Sequence, residues 1–509
     1  MEMTTKSYDY IVVGGGSAGC VVAGRLAQHG DARVLLLEAG RQADDDRFSV
    51  PLLWPRSIHT SADWNLISDP EPHLYHRQTP LPRGKVLGGS SAINAMLYVR
   101  GVREDFDDWT GLGLSAWTWN DVFPEYLASE NNTGIVDEFH GVGGPWTISN
   151  RVSTSPFIEA WVQANMDVGG LACNHDFNGA RRDGVGFFQL AVSDGRRQSS
   201  ADAFLDLPGA KPEIITNAEV ARVEVEHGRA TAVWADVDDE VVRIVAEQEV
   251  VICAGAYNTP KLLMLSGIGH ADHLKGIGVT PLVDLPVGDD LQDHAGGGVI
   301  FAVPEYDVVP TAADRDEFDE AGTGRFVSNR VEAGSFLRVA PGATTPDVES
   351  IVEGPNGLAP GRAGVFVEVL KPASRGTVRL RSDAPDAMAV IQHNHLQAQS
   401  DRDLLVAGLR HNLDILDGSG LVPKEARAVW PSSCSDDDLL DHLRLHGRSL
   451  YHPSSTCAMG AVVDDRFRVL GVDGLRVVDA SVMPEIVRAN LNATVVMMAE
   501  RAAAMILGG

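Results

Sequence analysis

Residues 8–13, Tyr-Asp-Tyr-Ile-Val-Val, form a dense apolar run with the pattern of a buried strand. Gly14-x-Gly16-x-x-Gly19 follows, and then a helical pattern to His29, where Gly30 can stop the helix. Residues 33–37, Arg-Val-Leu-Leu-Leu, predict a second apolar strand that ends at Glu38. Strand, glycine turn, helix and strand make a Rossmann-type unit for a dinucleotide. The first glycine makes the tight turn, the second lets backbone approach a pyrophosphate, and the third lets the helix pack on the strand. The helix N-terminus offers free N–H groups and partial positive charge to the phosphates. Glu38 stands where a carboxylate can bind ribose hydroxyls.

Similar patterns recur far along the chain. Residues 250–253 predict a strand leading into a helix over about 258–265, with Pro260 near its first turn. Residues 475–479 predict another strand. Residues 492–507 predict a helix uncharged through Ala499, so its first half should be buried. Strands of one sheet thus come from the start, middle and end of the chain. The expected division is a discontinuous nucleotide domain over 1–150, 196–295 and 450–509, with 151–195 and 296–449 as an inserted domain. The insert carries β-like runs at 364–370 and 377–380. The fold class is α/β, α+β overall, without a 20–50-residue repeat.

A chain of 509 residues exceeds one ordinary domain. Its 44% hydrophobic and 22% charged residues are those of a globular protein. The net charge of −28 opposes nucleic acid or an anionic membrane as partner. The acidic clusters 44–46, 314–320 and 436–438 read as solvated loops and faces. Five cysteines form no CxxC or zinc spacing, and Cys20 and Cys253 read as small core residues. That usage suits a reducing compartment. Residues 1–7 show no signal peptide, and no stretch reaches the roughly 18–20 apolar residues of a membrane span. A soluble cytoplasmic protein is expected. His73/His76 and His393/His395 have suggestive spacing, but no carboxylate or cysteine partner stands at ligand spacing, so they read as loop or strand surface residues and no metal is expected.

Three further segments carry chemistry. Residues 82–94 contain Gly88-Gly89-Ser90-Ser91, whose backbone freedom and N–H groups suit contact with a flat, electron-rich ring. Residues 255–269 read as a strand end, a helix and a glycine-rich exit. Tyr451-His452-Pro453 is followed by Asp479-Ala480 and by Asn490-Leu491-Asn492, which opens the buried helix.

Together these segments resemble the glucose–methanol–choline oxidoreductase family. Supporting matches lie at 285–294 (ending Gln292-Asp293-His294), at His140-Gly141 with Gly144-Pro145, and at Ser374-Arg375-Gly376, so the likeness runs from about residue 8 to 507. The resemblance implies a discontinuous Rossmann-type FAD-binding domain with an inserted antiparallel-sheet substrate domain. It places Gly14, Gly16 and Gly19 at the pyrophosphate and Glu38 at the adenosine ribose. Gly88, Gly89, Ser90, Asn94 and Met96 would lie along the flavin and ribityl chain, and the main chain of Val220 at the adenine. Asp479 and Asn490 would meet the pyrophosphate or the flavin edge, and Ser17, Ala18, Ala39, Arg83, Val86, Ala95 and Ala480 complete the cofactor set. His452 matches the family's active-site histidine and Asn492 its second catalytic position. Ile93 stands where some members carry a histidine that attaches FAD covalently, so the FAD here should be noncovalent.

The implied reaction oxidises a primary alcohol to an aldehyde, with hydride passing to flavin N5 and a neutral histidine taking the hydroxyl proton. The substrate is a small-molecule alcohol. Choline would need an aromatic cage, to which Trp54, Trp64 and Tyr451 could contribute, and aryl or aliphatic alcohols are equally open. O2 or a quinone-type acceptor would reoxidise the flavin, and an oligomer is compatible with the sequence. The alternative is cyanohydrin cleavage on the same scaffold with a non-redox FAD.

Overall fold

The computed structural model describes residues 6–28, 31–355 and 361–508. The helix end expected at His29 and Gly30 lies outside the described residues. The opening unit forms as its pattern demands: strand Ser7–Val13, helix Ser17–Gln28 and strand Val34–Leu37, the last wholly buried. Ile11 pairs in parallel with Leu35 on one side and Val250 on the other. The full sheet has seven strands in the order Glu213–Ile215, Val34–Leu37, Ser7–Val13, Glu240–Ile252, Arg229–Val237, Ala218–Glu226, with Leu475–Val477 also paired on Glu240–Ile252. Its parallel part holds the nucleotide-type strands, and an antiparallel meander extends it.

The final helix, Leu491–Leu507, is buried along most of its length because it packs on Ser17–Gln28, and Arg25 Nη2 meets Glu500 Oε1 at 2.7 Å across that contact. The helix after Glu240–Ile252 spans Gly255–Leu265, three residues earlier than its pattern predicts. Asp479 supplies the missing cap from another segment, accepting from the Gly255 N–H at 2.9 Å. Pro260 therefore lies inside this helix and not near its first turn. Its missing N–H frees the Ala256 carbonyl, which accepts instead from the Thr456 hydroxyl at 2.7 Å. That bond ties the helix to the segment carrying His452.

A second seven-stranded sheet is antiparallel throughout. Its order is Arg427–Val429, Ala295–Ala302, Arg362–Val369, Val348–Glu353, Ala333–Leu337, Gly184–Phe187, with Arg448–Ser449 also on Ala295–Ala302. Helix Gln399–Ser419 covers it with Leu405, Leu409, Leu413 and Leu416, a buried stripe at helical spacing. The run expected at 377–380 does not join this sheet. Thr377–Arg379 pairs with Val390–Gln392 as a separate ribbon. The acidic cluster 314–320 lies on helix Ala312–Ala321, mostly exposed, and Asp436 to Asp438 open helix Asp436–His446, where they complement its N-terminal dipole. All five cysteines are free, with Cys20, Cys253 and Cys457 buried. Among the described residues no helix is long and apolar enough to cross a membrane.

Candidate active site

Two glycine-rich loops meet to form one wall of a cavity of about 400 Å³. The Gly88 N–H donates to the Gly15 carbonyl at 2.7 Å, and a Cβ on Gly89 (φ +54°) would stand 2.6 Å from Gly16 Cα. Only glycine permits that approach. Gly14, Gly16, Ser17, Ala18, Glu38, Ala39 and Val220 line one part of the cavity. Arg83, Gly89, Ser90, Asn94, Ala95 and Met96 line it further along, with His452, Asp479, Ala480, Asn490 and Asn492. Ile351 and Phe366 close it from the second sheet, with Val331 from the loop before strand Ala333–Leu337.

Three residues of the expected cofactor set stand off this wall. Gly19 works by packing, since a Cβ there would fall 1.8 Å from the Gly14 carbonyl oxygen. Gly88 (φ +94°) shapes the loop. Val86 is buried with Phe48, Ala62, Ala92 and Ile93 because its side chain points behind the loop. Glu38 is buried, and its carboxylate accepts from the N–H groups of Gly15 and Gly40, each at 2.8 Å. Burial pushes its carboxyl up to about 7 against those bonds. It braces the glycine loop as well as lining the cavity. Asp479 spends its oxygens on Gly255 N–H, Thr259 Oγ1 and Ser481 N–H, so it organises the wall.

The residues fit FAD. The paired loops leave space where a side chain would otherwise fill it, and Gly16 Cβ would meet nothing nearer than Gly89 Cα at 3.9 Å. Helix Leu491–Leu507 starts at the cavity without a side-chain cap, and the Asn490 Oδ1 beside it is buried and unpartnered among the described residues. An electron-rich ring edge complements the helix start, and a ring N–H could donate to the Asn490 oxygen.

At this end His452 is held from three sides. Its backbone N–H donates to Asp293 Oδ1 at 2.9 Å, its Nδ1 lies 2.9 Å from His294 Nδ1, and its Nε2 lies 3.3 Å from Asn490 Nδ2. Burial pushes the imidazole well below the ordinary 6.5, and the neighbouring His294 adds to this, so His452 is neutral at neutral pH. The Asn492 amide lines the same cavity and hydrogen-bonds no other side chain among the described residues. Asn490, expected at the cofactor, also touches the base itself.

The reading of His393 and His395 as surface residues is corrected. Both are buried, with rings stacked at 4.5 Å, because carboxylates arrive from distant segments. His393 lies 3.3 Å from both Glu71 and Asp293, and Tyr257 Oη is 2.8 Å from its Nε2. Burial pushes His393 down, and the hydrogen bonds to Asp293 and Glu71 outweigh it, to about 9. The cluster is a buried ion pair that anchors Asp293, and through it His452. His395 does not line the cavity, and burial pushes it down to about 4.

A dinucleotide fold with a neutral histidine at the ring end of its cavity defines a flavin-dependent oxidoreductase. The GMC oxidoreductase family profiles match residues 8–296 and 372–499, and the chain belongs to that family. It is 36% identical to the oxygen-dependent choline dehydrogenase of Sinorhizobium fredii (98% of this chain, 95% of that protein). It is 35% identical to an alcohol dehydrogenase [acceptor] of Pseudomonas putida (98% and 96%). The solved pyridoxine 4-oxidase from Mesorbium loti superposes with a TM-score of 0.88 at 30% identity (98% and 99%). The protein is an FAD-dependent enzyme that oxidises the CH–OH group of an alcohol. These likenesses lend no support to cyanohydrin cleavage.

Proposed function

We propose that the protein converts a primary alcohol to an aldehyde, with His452 as general base and Asn492 holding the substrate oxygen. The observation that carries this reading is the neutral His452 imidazole, fixed from behind by His294 and Asp293 with Nε2 on the side of Asn490. Bound FAD supplies the hydride acceptor. The Nε2 lone pair takes the hydroxyl proton, and an uncharged Asn492 amide can orient the same oxygen. Because the base acts when neutral and its pKa is pushed down, flavin reduction should be undiminished at neutral pH, with its acid limb below 6.5. A rate that rises as pH falls through 6.5 contradicts the assignment.

The cavity favours an uncharged alcohol over choline, the substrate in the Sinorhizobium relative's name. Trp54, Trp64 and Tyr451 all line the cavity, but the last two already have a cation of this chain over the ring, and Trp54 alone makes no cage. Lys85 Nζ lies 4.3 Å from Trp64, and the Arg448 guanidinium 5.9 Å from Tyr451 and 5.3 Å from Phe366. Glu353, the carboxylate lining this end, pairs with Arg330. A quaternary ammonium would compete with resident positive charge. We expect kcat/KM for choline to be lower than for benzyl alcohol by at least about tenfold, or ~1.4 kcal/mol. Equal or better turnover of choline overturns this preference.

FAD should be noncovalent, since Ile93 lines the cavity and offers no nucleophile. Acid precipitation should release the flavin to the supernatant, and colour retained in the pellet would show a covalent link. The names of the relatives, one oxygen-dependent and one with an unspecified acceptor, are compatible with O2 or a quinone-type acceptor. Free cysteines and the negative charge support a cytoplasmic setting. Strand membership of the two sheets supports 1–150, 196–295 and 450–509 as the FAD-binding domain, and 151–195 with 296–449 as the substrate domain.

A further inference from the structure

His294 is fully buried behind His452, which it holds from behind, and belongs to the Gln292-Asp293-His294 motif. Its Nε2 lies 3.1 Å from two carbonyl oxygens, those of Leu370 and Val487. Carbonyls only accept, so this nitrogen satisfies them only as an N–H donor. Burial pushes the His294 imidazole down to about 4, so at neutral pH it holds one proton, and that proton is on Nε2. Its Nδ1 is therefore a bare lone pair, 2.9 Å from the Nδ1 of His452. Two lone pairs at that distance repel, so His452 carries its hydrogen on Nδ1 and donates it. A neutral His452 then keeps its own lone pair on Nε2, beside the Asn490 amide.

We propose that His294 is a positioning residue that fixes the tautomer of His452, leaving Nε2 as the atom that receives the substrate's hydroxyl proton. The chain of constraint runs from two backbone carbonyls to His294 and from His294 to the base. In the proton transfer the substrate O–H bond breaks and an N–H bond forms at His452 Nε2, while the Nδ1–H bond to His294 persists. Behind the pair, Glu368 Oε1 lies 3.5 Å from His294 Nδ1 and Oε2 lies 3.8 Å from His452 Nδ1. Glu349 is buried with it, and no other side chain hydrogen-bonds their oxygens among the described residues. Two adjacent buried carboxyls hold a proton between them. Burial and the neighbouring Glu349 push the Glu368 carboxyl well up, so the group beside the two histidines is uncharged.

The assignment rests on His452 being the base, and its test separates the two. In FAD-loaded enzyme with 15N-labelled histidine, the His452 resonances, identified by their loss in His452→Gln, should show a protonated Nδ1 and a bare Nε2. His294→Phe removes the acceptor. The Nε2–H tautomer should then appear, and flavin reduction should fall about 10²–10⁴-fold, as when other catalytic histidines lose their orienting partner. The Kd for the alcohol should stay unchanged. His294→Gln keeps a donor for the carbonyls and an acceptor for His452, and it should restore the rate to within about tenfold. An Nε2–H tautomer in the unmodified enzyme overturns the assignment, even if His294→Phe does not fold. An unchanged reduction rate in a folded His294→Phe also overturns it. The expected tautomer in an enzyme whose His452→Ala variant reduces flavin normally would uphold this inference and refute the role of His452 as base.

Discussion

His452→Ala is expected to keep FAD bound and to lose about 10²–10⁴-fold in the rate of flavin reduction by alcohol, or roughly 2.7–5.5 kcal/mol of barrier. The retained cofactor follows from the architecture. His452 lines one end of the cavity only, whereas the glycine loops, Glu38 and the start of helix Leu491–Leu507 line the rest of its length. The lost rate follows from the surroundings of the base. Asn490 and Asn492 are uncharged and cannot take a proton, and His294 is sealed behind, with its Nε2 committed to two carbonyls. Anaerobic stopped-flow absorbance gives the reduction rate, and flavin content gives occupancy. Near-normal reduction would remove His452 from the chemistry.

Gly19→Ala should weaken cofactor binding by a different route. A Cβ there would stand 1.8 Å from the Gly14 carbonyl oxygen. Strand Ser7–Val13 cannot retreat, because Gly14 N–H is bonded to Leu37 O at 2.8 Å and Cys253 N–H to Val13 O at 2.7 Å. Helix Ser17–Gln28 must lift instead, and it carries the N–H groups meant for the pyrophosphate. Overpacking of this kind costs about 1–3 kcal/mol or more, so the apparent Kd for FAD should rise by about 100-fold. Gly16→Ala is the contrast. Its Cβ meets only Gly89 Cα at 3.9 Å, so the apo fold should unfold at the unchanged temperature while FAD binding weakens through lost space. Equilibrium dialysis and thermal unfolding of the apo proteins measure both. Normal FAD affinity in Gly19→Ala contradicts the packing role.

The nucleotide sheet is legible in the sequence because buried parallel strands are apolar throughout, as Ile11, Val12, Leu35 and Leu36 show. His452 and Asn492 are legible because each sits in a motif of several residues. The helix start at Gly255 is not, because its cap, Asp479, is more than two hundred residues away. The burial of His393 and His395 is hidden for the same reason, since Glu71 and Asp293 are remote in the chain. The cavity wall of Ile351, Phe366 and Arg448 is fixed by antiparallel register, which moves a side chain to the opposite face with each one-residue shift. His294 had a visible signal in its Asp-His motif, but only the two carbonyls around its Nε2 show how it acts.

The most direct measurement is the flavin spectrum of the purified holoenzyme on anaerobic addition of an uncharged aryl alcohol. The account predicts that the oxidised flavin band bleaches and that aldehyde appears in equal amount to the flavin reduced. An oxidised spectrum that persists across a panel of primary alcohols, with no aldehyde formed, would contradict it.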